Sequence, residues 1–124
     1  MGRYEAVIRN RQQWEQEKTQ AEQEVKTLFM QFVEGAQNEM HAAGAGAGLR
    51  VNEEPAVEGG QLSVDLQVHY PHETFLQPEM IHVSLLRETS GYRFSANMTP
   101  FGKVVSTPQE VVDLFFDALL AQNA

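Results

Sequence analysis

The chain has 124 residues, enough for one domain with a core of its own, and it contains no cysteine. That excludes a disulfide framework, thiolate chemistry and a cysteine-based zinc site, and it makes a reducing compartment the natural home. Net charge is −8, distributed unevenly: residues 1–20 carry four basic and three acidic side chains, and the remainder carries five and fourteen. An acidic body repels phosphate backbones, so nucleic acid is not the expected partner and a protein partner is, a basic one in particular.

No apolar run approaches the ~20 residues that a membrane span requires. The segment Met1-Gly2-Arg3-Tyr4-Glu5 is polar rather than signal-like, and Ala6 stands where a myristoylation motif wants Ser or Thr. The expectation is a cytoplasmic chain with no membrane engagement.

From Arg3 to about Ala43 there is no proline, and Gly35 is the one internal glycine, which predicts one long helix or two helices with a break. Val25, Leu28, Phe29, Phe32, Val33, Ala36 and Met40 follow the i, i+3, i+4, i+7 spacing of a core-facing stripe. Before them Tyr4, Val7, Ile8 and Trp14 precede a polar run from Glu15 to Glu24. An unbroken helix would be ~60 Å long at ~1.5 Å per residue, against a radius of gyration of ~14 Å for a compact chain of this length. It must overhang or kink near Lys18 to Gln23. We expect residues 1–24 to form a projecting helical arm and residues 25–124 to form a single α+β domain.

Ala42 to Gly48, with alternating glycines, ends the helix and serves as a connector. It is not a phosphate loop, because that fingerprint follows a strand and opens a helix. Leu49 and Val51 begin a first strand, expected to pair with Leu66 and Val64. The stretch from Glu53 to Gln61, with Pro55 and Gly59-Gly60, reads as a loop.

Leu62, Val64, Leu66, Val68 and Tyr70 alternate with polar residues, the period-two signature of a half-buried strand. Placing apolar opposite apolar pairs Val68 with Ile81, Leu66 with Val83 and Val64 with Leu85. The same logic pairs Leu85 with Phe94, Val83 with Ala96 and Ile81 with Met98. Thr99-Pro100-Phe101-Gly102 reads as a turn before a short fifth strand, Lys103 to Ser106. Thr107-Pro108-Gln109-Glu110 then opens a helix with an N-cap, Pro at its first position and Glu at its third. Val111, Val112, Leu114, Phe115, Phe116, Ala118, Leu119 and Leu120 make that helix more apolar than one sheet face can cover, so either the first helix covers the remainder, with Phe29 and Phe32 against Phe115 and Phe116, or a second copy of the chain does, and the first is the expectation. The predicted fold class is α+β: a four- to five-stranded antiparallel meander sheet, with a long N-terminal helix and a C-terminal amphipathic helix packed on one face. Leu66, Val83, Phe94 and Phe115 should share one cluster.

Chemistry-bearing residues are sparse. His69, His72 and Glu73 surround a Tyr70-Pro71 turn, and His69 and His82 would share the outward sheet face, with Asp65 a diagonal neighbour of His82. No third ligand is positioned by secondary structure, so no metal site is assigned. There is no nucleophile elbow and no serine with a base near it, and Glu53-Glu54 lie in a solvated loop. No catalytic, cofactor-binding or metal-binding residue is assigned, no cofactor is called for, and the chain is read as no enzyme. Arg9, Arg11 and Trp14 interleave base and aromatic, but with nearly balanced charge around them.

The order helix, antiparallel strands, helix on a small acidic chain resembles the secretion-effector chaperones. A long helix held by an antiparallel sheet is similar to the cystatin and nuclear-transport-factor-like group. Those chaperones carry another helix between their strands, and no helical period occurs between Tyr70 and Val105. The likeness is one of architecture and transfers no function. The leading expectation is a non-enzymatic protein-protein interaction module, a small acidic adaptor or chaperone-like protein acting as a homodimer through Tyr4, Val7, Ile8, Arg11 and Trp14. The alternatives are an acidic inhibitor or immunity-type protein that blocks a basic site on a target, and a small-ligand-binding domain with a pocket between sheet and helices.

Overall fold

The alternation of apolar and polar residues in the middle of the chain produces a sheet with one apolar face, and both helices bury against that face. The computed structural model describes residues 2–51, 53–71, 79–97 and 102–123. In chain order the elements are α1 (Arg3–Ala43), β1 (Gly48–Val51), β2 (Ala56–Glu58), β3 (Gln61–His69), β4 (Glu79–Glu88), β5 (Gly91–Ala96), β6 (Lys103–Val105) and α2 (Pro108–Gln122). The six strands form one antiparallel sheet in the order β1-β3-β4-β5-β6, with β2 also paired to β3.

The β4–β5 pairing is as the sequence predicts: Leu85 faces Phe94 and Val83 faces Ala96. Two predicted registers are displaced by two residues. Leu66 faces Ile81 and Val64 faces Val83 on β4, and Leu49 faces Val68 and Val51 faces Leu66 on β1. A two-residue slip returns every side chain to the same face, so alternation alone does not detect it. The Thr89-Ser90 turn pins β4 to β5, whereas β3 and β4 are joined through a long connection that sets no register. The predicted pairing of Ile81 with Met98 and the Thr99-Pro100 turn lie outside the described residues.

A second correction is β2, which the sequence reading assigns to a loop. Glu58 faces Gln61 across Gly59-Gly60, a two-residue hairpin turn in which Gly59 has φ 60°. Three residues after a proline are too short a run to show a period. Among the described residues the sheet therefore has six strands where four or five were expected.

Helix α1 is continuous from Arg3 to Ala43, and its first residues are not folded back onto the body, since every residue from Gly2 to Glu17 is exposed. It packs on β1 to β4, while α2 packs on β5 and on α1. Phe32 is fully buried where the three layers of side chains meet, its ring 5.3 Å from Phe115 and 6.0 Å from Phe94. Leu66, Val83, Phe94 and Phe115 belong to one buried cluster, as predicted. The interior glycine of α1 sits at the helix crossing, where a methyl group on Gly35 would lie 3.2 Å from Val112. Leu114, Phe116 and Ala118 on α2 are covered in part, and Leu120 stays exposed.

Two local devices complete the body. The Gln37 side chain of α1 accepts a hydrogen bond from the Leu49 N–H at 2.9 Å and donates to the Leu49 carbonyl. An amide thus takes the place of a neighbouring strand on the free edge of β1, which would otherwise offer unpaired backbone. At the start of α2, the Thr107 hydroxyl accepts from the Glu110 N–H, and the Glu110 carboxylate accepts from the Ser106 and Thr107 hydroxyls at 3.0 Å. Those bonds, from Ser106 first and Thr107 second, hold the Glu110 carboxyl below its ordinary pKa.

Leu66 has no exposed surface, so Leu66→Ala should cost ~2 to 5 kcal/mol in chemical denaturation. A loss below half of one ~1 kcal/mol unit with the fold intact would contradict the observed core. Because the folded-state pKa of Glu110 is depressed, its cap stabilises fully above the unfolded carboxyl range and is lost as pH falls through the depressed value. The melting temperature of Glu110→Ala should therefore lie below that of the parent at pH 7, and the gap should narrow on acidification below pH ~4.

Candidate functional site

Where α1 leaves the body is defined by polar contacts. Glu22 accepts from the Gly59 N–H at 3.1 Å at the β2–β3 turn, and Glu24 accepts from Arg87 at 2.9 Å and from the Tyr92 hydroxyl at 3.3 Å near the β4–β5 turn. Burial and then the Glu24 charge push the Tyr92 hydroxyl above its ordinary pKa. The first buried residue of α1 is Ala21. Every residue from Gly2 to Glu17 is exposed.

On this segment lie all five predicted partner-binding residues. Tyr4 is 75% exposed, Trp14 60%, Val7 50% and Ile8 40%, and Arg11 is exposed as well. The Lys18 ammonium lies 5.5 Å from the centre of the Trp14 ring, a cation–π contact on an open surface. No other element covers them among the described residues.

Their spacing carries more than the sequence reading drew from it. Positions 4, 7, 11, 14 and 18 are separated by alternating steps of three and four, and the same steps continue through buried Ala21, Val25, Leu28 and Phe32. In one continuous helix, side chains at this spacing share a face, drifting by ~20° per heptad. Tyr4, Val7, Arg11 and Trp14 therefore prolong the stripe that α1 buries on the sheet, beyond the point where the sheet ends. The signal was present as a heptad count across residues 4–32. It is obscured when the polar run from Glu15 to Glu24 is read as a break.

The opposite sheet face is mostly polar, with Met80, Leu86 and Val104 as exposed apolar exceptions, and no helix packs on it among the described residues. Asp65 stands directly opposite His82 rather than diagonal to it, with the carboxylate 2.8 Å from Nδ1, and Asn97 accepts from the His82 N–H at 2.7 Å. The Ser84 and Ser95 hydroxyls meet at 2.6 Å. His69 is not brought to this row, since it lies four residues along β3 from Asp65, ~13 Å at strand rise. It lines a cavity of 560 Å³ with Gln37 and His41 instead, and its Nε2 is buried with no hydrogen-bond partner among the described residues. His72 and Glu73 fall outside the described residues. No set of three His, Asp or Glu side chains is placed to hold a metal among the described residues.

A larger cavity of 1030 Å³ runs beside α1, lined by Phe29, Met30, Val33, Val51, Val57 and Leu62 among others. Its charged lining residues are Lys26, Glu34 and Glu54. No helix among the described residues is long and apolar enough to cross a membrane. Comparison with protein-family models, with curated proteins and with solved structures returns no match.

Proposed function

We propose that this chain is a non-enzymatic protein-protein interaction module, a small acidic adaptor that associates through the exposed part of α1. The observation that carries the reading is the continuation of a buried helical stripe onto a segment that no described residue of the body covers. Four large apolar side chains in water are a standing cost, and their task is to be covered by a partner. Trp and Tyr dominate binding energy where a helix face supplies the contact, and both occur here. The sheet and α2 act as the base that holds α1 rigid, because residues 21–40 of that helix are part of the core.

The outward sheet face supports no catalytic reading of comparable weight. Its one close acid-histidine pair is exposed, with side-chain accessibilities of 59% for His82 and 48% for Asp65. A general base works best in a site that excludes water and holds a substrate, and this face is open.

Deleting residues 2–20 removes no fully buried side chain, so the truncated chain should keep the far-ultraviolet spectrum and cooperative melting of the parent body. The same deletion should abolish association, measured as the set of chains that the tagged protein retains at native concentration, including untagged copies of itself. Unfolding of the body on truncation, or an unchanged retained set, would overturn the reading.

A further inference from the structure

We infer that the occupant of the exposed α1 stripe is the same segment of a second copy, laid antiparallel about a twofold axis near residue 9. This rests on the association reading above and adds the partner, the direction and the register.

The arm is self-complementary in charge along its length. Residues 3–11 carry Arg3, Arg9 and Arg11 against Glu5, whereas residues 12–20 carry Glu15 and Glu17 against Lys18. Antiparallel copies in the register given below set Arg3, at the start of each arm, against the acidic Glu15 to Glu17 end of the other. A parallel pair does the reverse: it stacks Arg11 on Arg11 and Lys18 on Lys18 at the seam, and it brings Glu17 beside Glu22 in the flanking positions. Like charges at such close range oppose association.

Register follows from which side chains are free. With residue n opposite residue 18 − n at the seam, Tyr4 of each copy meets Trp14 of the other, and Val7 meets the aliphatic stem of Arg11. Ile8 meets Ile8 across the axis, and Arg3 stands by Glu17, twice by symmetry. All four exposed apolar residues of the arm are then covered, Tyr4 and Trp14 by each other, Ile8 by its own copy and Val7 by the Arg11 stem. Shifting one heptad further would set Tyr4 against Ala21 and Arg3 against Glu24. Ala21 is only 8% exposed under its own sheet, and Glu24 is already held by Arg87 and Tyr92. In the assigned register the second helix ends short of Ala21, so the two bodies stand at opposite ends without collision. A pair of such short helices falls in the small class of interfaces, so the dimer should dissociate on dilution.

The test uses the full chain. Sedimentation velocity over a dilution series should show a monomer-dimer equilibrium, and emission from Trp14, the single tryptophan, should shift to the blue as dimer forms. Trp14→Ala should weaken the dimer at least ~10-fold. Arg3→Glu and Glu17→Arg should each weaken it, and the two together in one chain should restore it. Because the chain has no cysteine, introduced ones report proximity cleanly: Ile8→Cys should form a disulfide with its own kind, and Arg3→Cys with Glu17→Cys supplied on another chain. A monomer at every concentration, failure of the double charge swap to restore association, or trapping of Arg3→Cys with Glu24→Cys instead of Glu17→Cys would each overturn the inference. If the chain stays monomeric while residues 2–20 remain necessary to retain another protein, the antiparallel pair fails and the adaptor reading stands.

Discussion

Phe32 is the residue on which the arrangement of layers depends. A single apolar sheet face has to receive two helices, and α1 places the Phe32 ring between Phe94 of the sheet and Phe115 of α2. Its edge-to-face contact with Phe115 joins the helices, and its tilted contact with Phe94 seats them on β5. With α2 occupying that side, α1 is displaced over β1 to β4. The absence of a side chain at Gly35 lets the helices approach close enough for Phe32 to reach both neighbours.

The same packing explains why α1 overhangs. Its contacts run from Glu22 and Glu24 at the β2–β3 and β4–β5 turns to Gln37 at the other end of the sheet, beside Leu49. The longest strand has ten residues, ~33 Å at strand rise, and the buried part of α1 from Ala21 to Met40 spans ~30 Å. Sheet and helix are matched in length, and α1 still has eighteen residues to spare before Ala21. That excess cannot be folded back, because no proline, glycine pair or other break interrupts residues 3–20. The projection is thus a consequence of ordinary helix propensity acting past the edge of the core.

Polar interactions in this molecule position elements more than they stabilise them. Half-exposed ion pairs such as Arg93 with Glu88 contribute little. Those at Glu24 and Gln37 have a different role: the first fixes where α1 leaves the sheet, and the second closes a backbone edge that could recruit a strand from elsewhere. At Leu49 the β1 edge is thus met by the chain's own amide rather than left open to a foreign strand.

The sequence by itself determined which face of the central strands is buried, their antiparallel order, the capped start of α2 and the helical character of residues 3–43, while leaving open whether these form one helix or two. Each is a short-range property, set by a period, a cap or the lack of a breaker, and each reads correctly within a window of a few residues. The tertiary structure decided the β1–β3 and β3–β4 registers, because a two-residue slip keeps the apolar face and only packing against α1 and α2 distinguishes the alternatives. It decided the existence of β2, whose three residues are held by pairing with β3 rather than by any pattern of their own. The candidate site lies between these cases. Tyr4, Val7, Ile8, Arg11 and Trp14 are visible in the sequence as misplaced apolar groups with a basic neighbour, but their alignment with Val25, Leu28 and Phe32 has meaning only once α1 is known to be unbroken. The location of Ala21 at the sheet's edge is a matter of three-dimensional lengths, and no local run of residues encodes it.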